Sequence, residues 1–215
     1  MINAFLFDLD GVIVDTAVYH FQAWRKLSQT LGFDIDHEFN ETLKGISRVD
    51  SLNRILEKGG VELSDEKKNE LAALKNVWYL EFVNQMTEKD ILPGVLDFLE
   101  NTRNAGIKIA LGSASKNAGI ILEKINLMHF FDAIVDGNKV SKSKPHPEVF
   151  LNGATALNVE PETCLVFEDA FAGIEAAHAA NMKAVGIGKS DALPNADIIF
   201  ENLVGIDPKE LIAKL

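Results

Sequence analysis

The sequence predicts an α/β fold, in which helices cover both faces of a mostly parallel sheet. Short apolar runs, each long enough for one buried strand, recur along the chain with helical patterns between them. Alternation of this kind is typical of parallel sheets built from strand–helix–strand units. One long interval after the first run has helical patterns but no convincing strand. The sequence therefore predicts a sheet core with a helical insert.

The predicted strands are the apolar runs, at residues 4–7, 108–111, 133–135, 165–167, 184–187 and 198–200. Pro93 and Gly94 precede an apolar-periodic stretch that Gly106 closes, which predicts a helix before the second strand. Small residues at 172–180 predict a further helix packed closely on the sheet.

The insert contains three amphipathic stretches, at residues 17–31, 49–57 and 65–86. We expect residues 1–15 and 88–215 to form the core, and residues 16–87 to form a helical cap domain. The linkers would lie near residue 15 and at residues 87–92. Such an insert would cover the strand ends as a lid.

The composition predicts a globular protein with an anionic surface. The formal net charge is -11, which argues against nucleic acid or anionic membranes as partners but allows a small basic pocket. No run approaches the ~20 apolar residues of a membrane helix, and Asp8 interrupts the first run, so we expect no signal peptide. Cys164 lies in an apolar run, where a core side chain is expected. These features predict a cytoplasmic protein, which we expect to be a monomer.

Two carboxylates, Asp8 and Asp10, follow the first apolar run, and Gly11 comes next. Ligands of open α/β sheets bind beyond the carboxyl ends of the strands. Asp8 could attack phosphorus to form an aspartyl-phosphate while Asp10 handles protons, and Gly11 would let the backbone turn and approach a ligand closely. Turn chemistry alone would explain the Asp pair equally well.

Polar residues at later strand ends could complete a phosphoryl-transfer site. The hydroxyls and amides of residues 112–117 could cradle phosphate oxygens, and Lys144 could neutralise their charge. Glu168 and Asp169 add carboxylates for a hard cation such as Mg²⁺. Taken singly, Ser113 and Ser115 could be helix caps, and Lys144 a solvated surface charge. Their order along the chain nevertheless favours phosphoryl transfer.

This order of motifs resembles the haloacid dehalogenase superfamily, whose four motifs match Asp8-Leu9-Asp10-Gly11, Ser113, Lys144 and Glu168-Asp169. The resemblance implies a Rossmann-like core with a helical cap, Mg²⁺ dependence and an aspartyl-phosphate intermediate. It also implies that the metal ligands are Asp8, the backbone carbonyl of Asp10, and Asp169, with Glu168 nearby. Ser113, Ala114 and Lys144 would stabilise the transferring phosphoryl group.

The insert determines which reaction this core would perform. Residues 43–52 combine two cations, a glycine and hydroxyls that could grip a second phosphate, although a helix start capped by Ser47 is an equally good interpretation. By default His20 is a packing histidine and Lys75 a surface lysine. As a set, the insert is similar to that of the β-phosphoglucomutases within the superfamily. The substrate-binding residues so implied are Thr16, His20, Trp24, Lys44, Gly45, Arg48, Ser51, Lys75, Ser115 and Asn117.

That similarity implies interconversion of β-D-glucose 1-phosphate and β-D-glucose 6-phosphate, with β-glucose 1,6-bisphosphate as intermediate and activator. A sugar-phosphate phosphatase and a non-catalytic phosphosugar-binding protein are the alternatives. A mutase needs a lid that holds the remote phosphate and excludes water, so Arg48 and Lys75 favour it. Ala170 and His146 depart from the pattern expected of the family, which leaves the exact sugar open.

Overall fold

The sheet has six strands, all paired in parallel, and confirms the predicted fold class. The computed structural model describes residues 2–189 and 193–215. The strands are β1 Ala4–Phe7, β2 Lys108–Gly112, β3 Ala133–Val135, β4 Cys164–Glu168, β5 Lys183–Ile187 and β6 Ile198–Phe200. Their order across the sheet is β3-β2-β1-β4-β5-β6. The order reverses between β1 and β4, where open α/β sheets bind their ligands.

The helices alternate with the strands except in two places: five helices lie between β1 and β2, and the described residues between β5 and β6 hold no helix. The helices are α1 Ala17–Thr30, α2 His37–Glu41, α3 Arg48–Gly59, α4 Asp65–Val83, α5 Val95–Asn104, α6 Ala118–Lys124, α7 Glu148–Leu157, α8 Phe171–Ala179 and α9 Pro208–Ala213. Short 3₁₀ helices occupy Glu88–Asp90, Met128–Phe130 and Pro161–Thr163. Within the described part of the chain, no helix is long and apolar enough to cross a membrane.

The side chains of β1 are buried on both faces of the sheet, which explains its continuous apolar run. Phe5 and Phe7 face one layer and pack with Phe98 of α5 and Phe167 of β4, the Phe7 and Phe167 rings lying 4.5 Å apart. Leu6 faces the other layer, which α7 and α8 cover. This packing anchors the strand that ends at Asp8.

Helices α1, α3 and α4 share a separate apolar cluster that includes Trp24, Leu27 and Ile55. The two connections to the sheet core run side by side, because Leu92 N donates a hydrogen bond to the Ile13 carbonyl at 2.9 Å. These features support the proposed division into a core and a cap of residues 16–87. Tyr79 and Val83 of α4 nevertheless pack in the core cluster, so the helical segment is tied to the sheet layer.

Cys164 begins β4 and has no exposed surface. Burial, followed by the nearby Glu162 carboxylate, raises the pKa of the thiol to about 11. Cys164 is therefore a core side chain, as its apolar neighbours in the sequence predict.

Candidate active site

Residues from three strand ends line one cavity of about 1070 Å³. Asp8 follows β1, Ser113 follows β2 and Asp169 follows β4. Helices α1, α3 and α4 line the opposite side of the cavity, where His20 and Lys75 contribute side chains. The cavity therefore lies between the carboxyl edge of the sheet and the helical segment.

Lys144 is buried among carboxylates and does not fit the interpretation as a solvated surface charge. Its Nζ donates hydrogen bonds to Asp8 Oδ1 at 2.5 Å, to Glu168 Oε1 at 2.5 Å and to the Gly112 carbonyl oxygen at 3.0 Å. Burial opposes its charge, but Asp8 and Glu168 outweigh that effect and raise the pKa of Lys144. The side chain thus places a fixed positive charge against Asp8.

Asp8, Glu168 and Asp169 form a cluster with three candidate ligand oxygens, all within 4.8 Å of one another. Burial is the main cause that raises the pKa of Asp169 to about 7 and that of Glu168 above its ordinary value. A donor set made only of carboxylate oxygens, crowded and buried in this way, fits a hard divalent cation such as Mg²⁺. The Asp10 carboxylate is not in this cluster, and the role of the Asp10 backbone carbonyl as a metal ligand stays a prediction.

Two glycines leave room for this acid cluster. Gly11 has φ +83°, and a Cβ there would lie 2.1 Å from Asp169 Oδ2. A Cβ on Gly173 of α8 would lie 1.9 Å from Glu168 Oε1. The structure shows a close approach of Gly11 to the Asp169 carboxylate, and its close approach to a ligand stays a prediction.

Asp10 is fixed by two hydrogen bonds, one from its backbone N–H and one to its carboxylate. Its backbone N–H donates to Asp8 Oδ2 at 3.0 Å, and the Thr16 hydroxyl donates to Asp10 Oδ1. Burial, followed by the Asp8 charge, raises the pKa of Asp10 to about 7. Both protonation states of Asp10 are therefore populated near neutral pH, as a group that gives and takes protons requires.

Thr16 differs from its predicted place among the substrate-binding residues. It has no exposed surface and is not among the residues that line the cavity. Its hydroxyl supports Asp10 instead of facing a ligand.

The loop after β2 is folded by its own hydroxyls. Ser113 Oγ accepts a hydrogen bond from Ser115 N at 3.1 Å, and Ser115 Oγ accepts one from Asn117 N at 3.2 Å. The serines are therefore not caps of α6, whose N-cap is Asn117. Asn117 Nδ2 also donates to Asn76 Oδ1 of α4 at 2.8 Å, which joins this loop to the helical segment. Ser113, Ala114, Ser115 and Asn117 all line the cavity.

Lys75 is buried and pairs with the half-buried His20, so the interpretation of Lys75 as a surface lysine is wrong, whereas His20 does pack against the Tyr79 ring. Lys75 Nζ lies 2.8 Å from His20 Nδ1 and 4.5 Å from the centroid of the Trp24 ring. Lys75 is only 1 % exposed, and burial, followed by the Arg48 charge, lowers its pKa. Burial and Lys75 also lower the pKa of His20. A neutral His20 can accept the hydrogen bond from Lys75 at Nδ1.

Comparisons with known proteins agree with this arrangement. Residues 5–187 match the model of the haloacid dehalogenase-like hydrolases. The chain belongs to that family. It is 43% identical over 199 residues to the β-phosphoglucomutase of Bacillus subtilis (strain 168), covering 92% of this chain and 88% of the relative.

Two further relatives show the range of activities near this member of the haloacid dehalogenase-like hydrolases. A crystal structure of a β-phosphoglucomutase from Clostridium difficile superposes with a TM-score of 0.96 and 46% identity, covering 100% of this chain and 97% of that one. A phosphorylated carbohydrates phosphatase of Thermotoga maritima is 30% identical, covering 85% of this chain and 83% of the relative.

Helix α3 begins beside the cavity, because Ser47 and Arg48 both line it. Ser47 Oγ accepts a hydrogen bond from Asp50 N at 3.2 Å, which confirms the interpretation of Ser47 as a helix cap. Arg48 and Ser51 of the same helix also line the cavity. The two interpretations of residues 43–52, a capped helix start and a phosphate-binding segment, are therefore compatible. The Ser47 cap fixes the first turn of α3 and so the position of Arg48.

The loop before α3 connects the helical segment to the acid cluster. Lys44 Nζ forms salt bridges with Glu41 at 2.9 Å and with Asp169 at 3.4 Å. Gly45 has φ +72° and lies against α8, where its Cβ would be 3.2 Å from Ala170 Cβ. Ala170, which departs from the pattern expected of the family, therefore lies at the contact between the helical segment and the sheet core.

His146, the other residue that departs from the family's pattern, does not line the cavity. His146 is exposed, and its Nδ1 accepts a hydrogen bond from Glu148 N at 3.3 Å.

Three cationic residues that line the cavity were not predicted from the sequence as site residues: Arg54, Lys116 and Lys142. Their only signal is positive charge near the motifs, which many surface residues share.

Proposed function

We propose that the chain is a β-phosphoglucomutase that interconverts β-D-glucose 1-phosphate and β-D-glucose 6-phosphate. One observation carries the proposal: a single cavity has Asp8 and Lys144 at the strand ends and Arg48 and Lys75 on the helices facing them. Such a cavity offers one place for a transferring phosphoryl group and a second for a remote phosphate. The 43% and 46% identities to β-phosphoglucomutases over most of the chain support the same activity.

Asp8 is the proposed nucleophile. Its carboxylate oxygen attacks phosphorus, the bond from phosphorus to the donor oxygen breaks, and an aspartyl-phosphate forms. Lys144, at 2.5 Å, offsets the charge that repels this attack. The Ser113 hydroxyl and the Ala114 backbone contribute hydrogen bonds to the phosphoryl oxygens. A divalent cation held by Asp8, Asp169 and the Asp10 carbonyl, with Glu168 nearby, would neutralise further charge on those oxygens.

Asp10 is the proposed general acid and base. When the sugar hydroxyl attacks the phosphoryl group on Asp8, the acyl-phosphate bond breaks and the hydroxyl proton passes to Asp10. The product of this step is β-glucose 1,6-bisphosphate. After that intermediate reorients, Asp8 attacks its other phosphate and Asp10 returns the proton to the departing sugar oxygen. The enzyme is then phosphorylated again, so each cycle is balanced.

The helical segment holds the part of the substrate that does not react. Arg48 is proposed to grip the remote phosphate, since it begins α3 and lines the same cavity as the strand-end residues. Lys44, Gly45, Ser51 and Lys75 would contact the sugar phosphate, with Trp24 beneath Lys75. Ser115 and Asn117 would contact it from the core loop, and His20 would position the hinge beside Asp10.

The phosphatase alternative draws support from the 30% identity to the Thermotoga maritima phosphatase. The two activities differ in what accepts the phosphoryl group from Asp8, a sugar hydroxyl or water. The cation-lined helical face favours the sugar, because a phosphatase needs little from a lid beyond closure.

The decisive assay supplies β-glucose 1-phosphate, Mg²⁺ and a catalytic amount of β-glucose 1,6-bisphosphate, and follows products by ³¹P NMR. Glucose 6-phosphate as the main product supports the mutase, whereas inorganic phosphate as the main product supports the phosphatase. Omitting the bisphosphate tests its proposed role as activator. We also propose a cytoplasmic monomer, for which light scattering after size-exclusion chromatography would test the oligomeric state.

A further inference from the structure

Asn76 lines the cavity, but the mechanism above gives it no role. It follows Lys75 in α4 and is half-buried. Its Oδ1 accepts a hydrogen bond from Nδ2 of Asn117 at 2.8 Å, and Asn117 is only 7 % exposed. The bond therefore joins two cavity-lining side chains, one from the helical segment and one from the loop after β2, where little water competes for them.

The orientation of the Asn117 amide determines which of its atoms a ligand meets. The nitrogen of the amide carries two N–H donors, whereas the oxygen can only accept. Asn117 N donates to Ser115 Oγ at 3.2 Å, which fixes the backbone of the loop but not the side-chain amide. Among the described residues, the bond to Asn76 is the one side-chain hydrogen bond of that amide. Asn76 is therefore the residue that orients it.

A phosphate oxygen accepts hydrogen bonds and carries negative charge, so it needs a donor. The bond to Asn76 uses one N–H of Asn117 Nδ2 and leaves the second N–H for such an oxygen. A rotated amide would instead present its own oxygen, which repels the oxygens of a phosphate. We propose that Asn76 is a positioning residue: its Oδ1 holds the Asn117 amide so that a nitrogen donor serves the sugar phosphate. The inference rests on the proposed role of Asn117 in substrate binding and adds a residue to it.

Asn76→Leu tests the proposal, because it removes the acceptor and keeps a side chain of similar size. We expect KM for β-glucose 1-phosphate to rise about tenfold, the loss typical of one hydrogen bond to a charged group, with kcat unchanged within about threefold. Hydrolysis of a small phosphate ester, whose single phosphate occupies the transfer site, should change less than about twofold. Glu88→Leu is the matched control, because Glu88 Oε1 accepts from the Asn126 amide at 3.1 Å outside the cavity.

A double-mutant cycle separates this role from a general effect on the helix. In an Asn117→Ala background, Asn76→Leu should change KM less than about twofold, because the amide that Asn76 orients is gone. Unchanged KM in Asn76→Leu or in Asn117→Ala, or increases that multiply in the double variant, would overturn the proposal.

Asn76→Ala guards against an effect of the leucine side chain itself. It also lacks the acceptor, so it should raise KM by the same factor, and a wild-type KM in Asn76→Ala would equally overturn the proposal. The wild-type product, glucose 6-phosphate or phosphate, reports separately on the proposed function, and KM is measured on whichever product forms.

Discussion

Single residues determine whether the acid cluster can form at all. Lys144 keeps its charge because two carboxylates lie 2.5 Å from its Nζ, and in turn it stabilises Asp8 in a buried setting. Gly11 contributes by having no side chain, since any side chain there would occupy the position of the Asp169 carboxylate. The acid cluster therefore depends on the glycine of the first motif as well as on the acids.

Replacing Gly11 with Ala should displace Asp169 and weaken divalent-cation binding. The added Cβ would meet Asp169 Oδ2 at 2.1 Å, in a backbone conformation that also costs an L-residue about 1 kcal/mol. Gly32→Ala is the control, because Gly32 has φ +91° but no atom within 4 Å of its Cβ. Titration calorimetry with Mg²⁺ should show weaker binding to Gly11→Ala alone. Equal affinities in the two variants would contradict this account of the acid cluster.

At the level of elements, α3 and α4 each bring positive charge to the cavity, through Arg48 and Lys75. Ser47 caps α3, which fixes the first turn and hence the position of Arg48. Lys75 projects from α4 and is held by His20 of α1. Because α1, α3 and α4 must be packed together before these side chains converge, the proposed remote-phosphate site depends on all three helices.

Replacing Arg48 with Ala should separate two activities. If Arg48 grips the remote phosphate, isomerisation of β-glucose 1-phosphate should fall by about 100-fold, the loss expected for a charged hydrogen-bonded pair. Hydrolysis of a small phosphate ester, which has no remote phosphate, should change by less than about threefold. Arg25→Ala removes an arginine of the same segment that pairs with Asp34 outside the cavity, and should leave both rates unchanged. Equal losses in both assays of Arg48→Ala would refute its assignment.

At the level of the whole molecule, strand order concentrates the acids at one point. β1 lies between β2 and β4, so the residues after these strands meet at the same edge of the sheet. The chain carries a net charge of -11, yet its cavity is lined by Lys44, Arg48, Lys75 and Lys144. A local concentration of cations on an acidic protein favours a small anionic substrate, which fits inside the cavity. A polyanion would also contact the acidic outer surface, which repels it.

The sequence predicted the strands well, because strands buried on both faces are continuous apolar runs with polar residues at their ends. The predicted first strand, residues 4–7, is β1 as observed. Helix α2 was not predicted, since its five residues are too few to show a helical period.

The sequence could not predict contacts that depend on how separate helices pack. Lys75 resembles a surface lysine until α1 places His20 and Trp24 beside it. Asn76 and Asn117 are 41 positions apart and approach each other only in the folded protein. Motif residues carry their own signal, whereas the residues that support them do not.

The most direct test of the central claim is whether Asp8 carries a phosphoryl group during turnover. The enzyme would be mixed with Mg²⁺ and β-glucose 1,6-bisphosphate, quenched rapidly in acid, digested and analysed by mass spectrometry, with Asp8→Asn as control. We predict one added phosphoryl group on the peptide containing Asp8 in the wild type and none in the variant, whose amide cannot form an acyl phosphate. An unmodified Asp8 peptide in an enzyme that is turning over would contradict the account.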